Sequence, residues 1–471
     1  MKAGKGYIKK MEATMEKREN PLGSQPINKL LLQFAVPSMV AMIVSALYNM
    51  VDQLFIGRYV GELGNAATNI AFPLSTICTA IALLCGIGGA SAFNLAMGAG
   101  KKDEAGYYMG NAITTMVGAG VVLCIIVQLF LTPILTLFGA PVKVLPFAQE
   151  YAQITAFGFP FLIMGTGGGH LMRADGSPRM TMICNLTGAI INTVLDYMFV
   201  AVMDWGMKGA AWATVIGQVV AAMLVFGYFT RCKTVKLTFQ HLMLRPRSIG
   251  KVLSLGMAPC TNQLAMMVVQ VVLNNSLKYY GGLSSFGESI PIACVGIISK
   301  VSMVVFSFVI GISQALQPIV SFNYGAENYG RVKKAYKMAI GASFVISIIA
   351  FFVFQVFPRQ IISLFGEGSE EYYNFAVRYF RVYMFFICIT FIQPITSNFF
   401  TAIGKPMKGV FLSLTRQILF LLPLIIIMPR IFGLDGILYA GPIADFLSVT
   451  TAVVMILMEL RKPEYKEVKN V

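Results

Sequence analysis

Two aspartates sit in stretches otherwise built for hydrocarbon: Asp52 in "SALYNMVDQLFIG" (45–57) and Asp196 in "NTVLDYMFV" (192–200). An ionised Asp near the centre of a membrane helix costs at least ~2.5–3.5 kcal/mol on insertion scales, so such residues tend to have a task. Two nearby carboxylates without a fixed cation oppose one another's ionisation, and the pair readily takes up a proton or Na⁺ as a unit. The neighbouring residues share the polarity. At ~100° per residue, Asn185, Asn192 and Asp196 fall within ~40° of one another, and Ser45, Tyr48, Asn49 and Asp52 within ~100°. Thr214, in "GAAWATVIGQ", stands at a comparable depth in a third apolar stretch. These stripes are expected to face a protein interior rather than lipid. The plainer alternative is that both acids merely pin helices together by hydrogen bonds. With no Lys or Arg expected well inside the apolar spans of the first half, a cation-coupling site is the better reading.

The elements that hold these residues follow from composition. Of 471 residues, 56% are hydrophobic and 12% charged, about half the charged share of a soluble domain. Apolar runs recur throughout, which marks an integral membrane protein. At about 20 apolar residues per span, with Gly, Pro and charge clusters as breaks, twelve helices are expected. Their limits are 28–57, 66–97, 107–132, 147–171, 180–203, 209–230, 250–277, 289–322, 335–357, 372–401, 409–430 and 434–459. Residues 1–27 are polar and basic, with no cleavable signal expected.

Charge placement orients the chain. The six odd-numbered connections hold one basic residue each: Arg58, Lys143, Lys208, Lys278, Arg359 and Arg430. Lys300, Arg378, Arg381 and Arg416 fall well within spans, and the rest of the 37 Lys and Arg lie at the termini, in even-numbered connections or in the first turn of a span that follows them. By the positive-inside rule both termini are cytoplasmic. The formal net charge of +16 is then a topology signal, and no nucleic-acid partner is expected.

The chain also repeats. "LFG" at 137–139 returns at 364–366, Gly98-Ala99 at Gly325-Ala326, Gly176-Ser177-Pro178 at Gly404-Lys405-Pro406, and Gly206 and Gly209 at Gly433 and Gly436, all offset by 227 or 228 residues. Pro37 has its counterpart at Pro259. Six spans per half is an even number, so the halves run the same way and are related by an axis along the membrane normal. The expected fold is an all-α integral membrane protein of twelve helices in two six-helix lobes. The expected divisions are a cytoplasmic segment 1–27, an N-lobe 28–230, a basic cytoplasmic linker 231–249, a C-lobe 250–460 and a cytoplasmic tail 461–471. Two such lobes around a central cavity form an alternating-access transporter architecture.

Other chemistry is poorly supplied. The eight cysteines show no metal-ligand spacing, and only His170 and His241 are present. Neither His shares a helical face with an acid, so an enzyme is not expected. The second half lacks the paired acids: the repeat puts Asn274 opposite Asp52 and Pro423 opposite Asp196. Arg416 and Asp445 are expected to form a structural ion pair, while Lys300 is open to snorkelling or to an anionic ligand.

At "YNMVDQLFIG", "NTVLD" and "GAAWATVIGQ" the chain resembles the multidrug and toxic compound extrusion (MATE) family, in its prokaryotic branch with an Asp in the first helix. The loops "GAGKKDEA" and "YGAENYGRVKKA" and the 6+6 repeat extend the likeness over nearly the whole chain. The resemblance implies a proton or Na⁺ site at Asp52, Asn192, Asp196 and Thr214. Acids that some relatives carry in helices 7 and 10 are absent from the interior of those spans here. It further implies export of small amphipathic, often cationic, organic compounds by antiport with H⁺ or Na⁺, across a prokaryotic plasma membrane, with no cofactor. A monomer is expected. Tyr48, Asn49, Asn185, Gln218 and Asn274 are candidate cavity residues on depth and polarity. A lipid-linked oligosaccharide flippase of related fold is the alternative, but it would be expected to line its cavity with cations.

Overall fold

A computed structural model describes residues 20–284, 286–287, 289–363 and 370–465. The second "LFG", at 364–366, and most of the expected N-terminal segment and tail lie outside them. Among the described residues eleven helices are long and apolar enough to cross a membrane, and a twelfth span, α4, is built from two shorter helices. The N-lobe holds α1 (Ile27–Tyr59), α2 (Glu62–Gly98), α3 (Lys102–Leu129), α4 (Leu145–Phe157, continued by Phe159–Ala174), α5 (Pro178–Asp196, with a π-helical turn Tyr197–Val202) and α6 (Gly206–Phe229). The C-lobe holds α7 (Pro246–Gly282), α8 (Ser289–Gly325), α9 (Tyr329–Val356), α10 (Glu370–Tyr383, Ile387–Thr390, Ile392–Ala402), α11 (Pro406–Leu414, a π-helical turn Thr415–Leu421, Leu422–Phe432) and α12 (Leu434–Leu460). No strand occurs among the described residues.

The repeat is written into the backbone. Left-handed positions occur at Gly61, Gly100, Gly176 and Gly206, and again at Gly287, Glu327, Gly404 and Gly433. Each pair is 226 to 228 residues apart and turns the chain between the same two helices of its lobe. A left-handed residue ends a helix and satisfies its last carbonyls, which is why Gly dominates there. The interruption of α4 at Gly158 recurs in α10 at Met384–Phe386. The two π-helical turns do not correspond under this offset.

The lobes meet at the end that carries the termini. A Cβ on Gly256 would stand 1.7 Å from the Leu84 carbonyl oxygen, and one on Gly88 2.0 Å from that of Val252. Gly98 and Gly325 approach the Phe322 and Leu95 carbonyls as closely, at 2.0 and 2.2 Å. Only glycine permits such backbone contact. Gln317 Nε2 crosses between the lobes to the Ile87 carbonyl at 3.1 Å and to Ser91 Oγ at 2.9 Å. Arg331 Nη2 donates to the carbonyls of Leu22 at 3.2 Å and Gln25 at 2.6 Å. One hydrophobic core accordingly runs through both lobes here, from Phe93 and Met97 to Ile319 and Phe399. The far half of the C-lobe packs a separate core around Leu273, Tyr379 and Ile437.

The linker is fixed on α3. Asn111 Oδ1 accepts from the Arg245 backbone N–H at 2.7 Å, and the His241 ring lies against Gly106. His241 Nε2 reaches Asp103 Oδ1 at 3.3 Å. The sequence does bring a His to an acid, though from two separate elements.

Candidate functional site

Two glycines bring α5 and α6 together. A Cβ on Gly217 would meet the Gly188 carbonyl oxygen at 2.9 Å and Asn192 Cβ at 3.0 Å; a Cβ on Gly188 would meet the Gly217 carbonyl oxygen at 3.1 Å. The contact sets Asn192 beside Thr214, and Asn192 Nδ2 donates to Thr214 Oγ1 at 3.5 Å, a long and weak bond. One turn along α5 from Asn192, Asp196 is wholly buried. The π-helical turn begins at the next residue; such bulges re-aim side chains and are frequent at functional sites.

Asp52 on α1 completes the set. Its carboxyl and that of Asp196 lie within hydrogen-bonding reach of each other. Asp52, Asp196 and Thr214 stand seven, six and eight residues from the ends of α1, α5 and α6 opposite the termini, or roughly 9–12 Å deep. Tyr151, on the first part of α4, lies beside Thr214 and near both carboxyls. Sequence reasoning missed this tyrosine because its apolar ring reads as part of the span. Its hydroxyl, at the same depth as the acids, was the available signal.

The electrostatics are one-sided. Asp52 Oδ1, Asn192 Oδ1, both oxygens of Asp196 and Gln218 Oε1 are buried without a hydrogen-bond partner. Buried acceptors left bare are costly, and two touching carboxylates cannot both be ionised without compensation. No ion pair reaches either acid among the described residues. Among the described residues of the first half, one basic side chain inside a helix is buried, contrary to expectation. Arg173 is buried in the last turn of α4, its Nη2 3.0 Å from His170 Nδ1, because that helix runs three residues past the expected limit. It lies 22 residues along α4 from Tyr151, roughly 33 Å, so it does not serve the site. An oxygen-rich cluster of this kind suits a proton or a hard monovalent cation.

The candidate cavity residues divide. Tyr48 reaches Asn49 and lies near Asp52. Asn49 is exposed and donates to the Ser45 carbonyl at 2.7 Å. Asn185 is half-buried, and Gln218 Oε1 lies 2.3 Å from where a Gly158 Cβ would be. Asn274, in the other lobe, is exposed and accepts from Gln270 Nε2 at 3.0 Å. Arg416 and Asp445 form the expected ion pair, Nε to Oδ1 at 2.5 Å. Lys300 is exposed. Glu459, at the termini-side end of α12, is fully buried and held by Lys405, Lys408 and Lys462. All eight cysteines are free.

Comparison with known proteins agrees with this architecture. Multidrug export protein MepA of Staphylococcus aureus (strain MSSA476) is 23% identical over 437 residues, covering 92% of this chain and 94% of its own. The protein of the same name from Staphylococcus haemolyticus (strain JCSC1435) is 23% identical over 431 residues, 91% of this chain and 93% of its own. Among solved structures, an outward-facing multidrug resistance MATE family transporter of the MOP superfamily superposes with a TM-score of 0.86 at 23% identity, over 94% of this chain and 98% of its own. A MOP superfamily transporter from Pyrococcus furiosus, described as having a binding pocket of reversed polarity, also gives 0.86, at 22% identity, over 93% and 97%. The MatE family model matches twice, at residues 37–198 and 264–427. The second match starts 227 residues after the first, which is the offset of the internal repeat. With the two matches together covering well over half its length, the chain belongs to the MatE family of membrane transporters.

Proposed function

We propose that this protein exports amphipathic organic compounds, often cationic, by antiport with H⁺ or Na⁺, and that Asp52, Asn192, Asp196 and Thr214 couple the ion. The observation that carries this reading is the cluster of buried oxygens without donors in the N-lobe. A proton shared between Asp52 and Asp196, or a Na⁺ held by their carboxylates with Asn192 Oδ1 and Thr214 Oγ1, would satisfy it. Tyr151 lies beside Thr214 and both carboxyls and borders the site. The names of the Staphylococcus relatives support the substrate class.

The same reading puts both termini in the cytoplasm and the chain in a prokaryotic plasma membrane, on the distribution of Lys and Arg. The lobes, 28–230 and 250–460, then close toward the cytoplasm, joined by the cytoplasmic linker 231–249, so the fold corresponds to the outward-open end of the transport cycle. Cation arriving from outside cancels the carboxylate charge and lets α1 repack near Pro37, where the helix lacks one backbone hydrogen bond. Substrate is displaced, and by linkage cation and substrate weaken each other's binding by the same factor. Proteoliposomes holding a cationic dye test the proposal, with a pH gradient and a Na⁺ gradient imposed separately. At least one gradient should drive dye movement; failure of both would refute antiport.

A further inference from the structure

The face of the C-lobe opposite the termini has a feature that the cation site does not use. Asn374, Arg378 and Arg381 recur at i, i+4 and i+7 on α10 and so share a helical face. With Arg359 and Gln360 they line a surface cavity of about 540 Å³. Arg381 and Val382 also border an adjoining groove of about 470 Å³, walled by Phe385, Met428, Phe432 and Ile443. One arginine thus stands on the ridge between a polar cavity and an apolar one.

The charges there do not cancel. Arg359 pairs with Glu370 at 2.6 Å and Arg378 with Asp435 at 2.9 Å. Arg381 is exposed and forms no ion pair among the described residues, while its backbone carbonyl accepts from Gln355 Nε2 at 3.0 Å. Gln355 is next to the last residue of α9, and Phe432 is the last of α11. Arg381 therefore lies near the ends of α9 and α11, within reach of lipid headgroups for a long side chain. Snorkelling accounts for an arginine at this level. It does not account for a polar cavity on one side of that arginine and an apolar groove on the other.

We infer that this face binds one membrane phospholipid, with its phosphate on the Arg381 guanidinium beside Asn374 and an acyl chain along Phe385, Met428 and Phe432. A planar guanidinium matches phosphate oxygens in a two-pronged contact, and the groove offers the chain apolar cover. Free phosphate would need only the polar cavity, and an apolar solute only the groove. The adjacency of the two selects a molecule with both parts.

The test uses the full chain in liposomes containing trace phosphatidylglycerol with a photoactivatable group in its acyl chain. After irradiation, peptide mapping should find label concentrated within 382–385 and 428–443. Arg381→Gln should lower it about fivefold, the worth of one basic residue at an anionic interface, and Arg381→Lys should fall between the two, because it keeps the charge and loses the two-pronged contact. Excess unlabelled phosphatidylglycerol should compete, and millimolar inorganic phosphate should not. Label spread evenly over lipid-facing helices, or unchanged in Arg381→Gln protein of wild-type melting temperature, would leave Arg381 as a snorkelling residue. Full competition by inorganic phosphate would make this a free-anion site and overturn the lipid assignment.

Discussion

The carboxyl of Asp52 on α1 and that of Asp196 on α5 reach each other across a helix interface, with no lysine or arginine paired to either among the described residues. A cationic dye should therefore bind wild type more weakly as pH falls, if the ion is H⁺, or as Na⁺ rises, if it is Na⁺. More bound cation means a weaker site for a second cation. In Asp52→Asn that dependence should shrink sharply. Asp196→Asn should abolish coupled export while leaving the protein folded, because the amide keeps the volume but releases no charge. Equilibrium dye titrations at several pH and Na⁺ values decide the first point, and gradient-driven export decides the second. Equal ion dependence in wild type and Asp52→Asn would reduce Asp52 to a packing residue.

Gly217 fixes the distance between Asn192 and Thr214. Gly217→Ala should push α5 from α6 and cost about 1–3 kcal/mol of stability, the usual range for overpacking. It should also blunt ion dependence. Gly227, on the same helix, has open space where a Cβ would go, so Gly227→Ala should be neutral or slightly stabilising, by up to about 1 kcal/mol. Melting temperatures with dye titrations compare the two. A Gly217→Ala protein with wild-type coupling would show that the α5–α6 spacing is not tuned.

Arg331 ties α9 to the segment that precedes α1. Arg331→Ala leaves the Leu22 and Gln25 carbonyls without this donor, at a cost of about 1–3 kcal/mol. That cost falls only on the arrangement in which the lobes are closed at the termini side. The variant should shift toward the opposite arrangement. Spin labels at positions 101 and 334, in a cysteine-free background, should report a larger population of long distances. An unchanged distribution would mean that the glycine contacts alone hold that end.

Arg416 and Asp445 pair between consecutive helices, the carboxylate buried and the guanidinium half-buried, and are expected to serve structure. Breaking a buried pair by removing one partner costs about 3–5 kcal/mol, whereas replacing both with apolar residues of like volume is often neutral. Asp445→Asn should lower the melting temperature strongly, and the double variant Arg416→Met with Asp445→Leu should recover most of it. Both should keep the ion dependence of dye binding. Loss of that dependence in the recovered double variant would place part of the coupling in the C-lobe.

Much of this was legible in the sequence, for physical reasons. A bilayer demands about 20 apolar residues per span, so the spans announce themselves, and acids such as Asp52 and Asp196 stand out within them. The repeat was legible through residues such as Gly176 and Gly404, because the left-handed backbone favours glycine wherever a helix ends this way. What stayed hidden depends on tertiary packing. The interruption at Gly158 precedes Pro160, but a Gly and a Pro inside a span do not by themselves say whether the helix breaks. Arg173 was read as part of a connection because its burial depends on the helices around it. The π-helical turn after Asp196 has no local marker, and Gly188 and Gly217 gain meaning only once α5 and α6 are known to touch.

The seal between the lobes has a further consequence. At Gly88, Gly98, Gly256 and Gly325 it consists of main chain against main chain, and these contacts, unlike the nearby Gln317 and Arg331 bridges, have no long side chain to stretch as the halves part. Attraction of this kind is lost quickly with separation, a quarter to a half of it within about 0.5–1 Å. The resisting force is therefore concentrated at the very start of opening. A bound ion or substrate has to supply its work early and all at once, and the transporter should switch like a latch rather than yield like a spring.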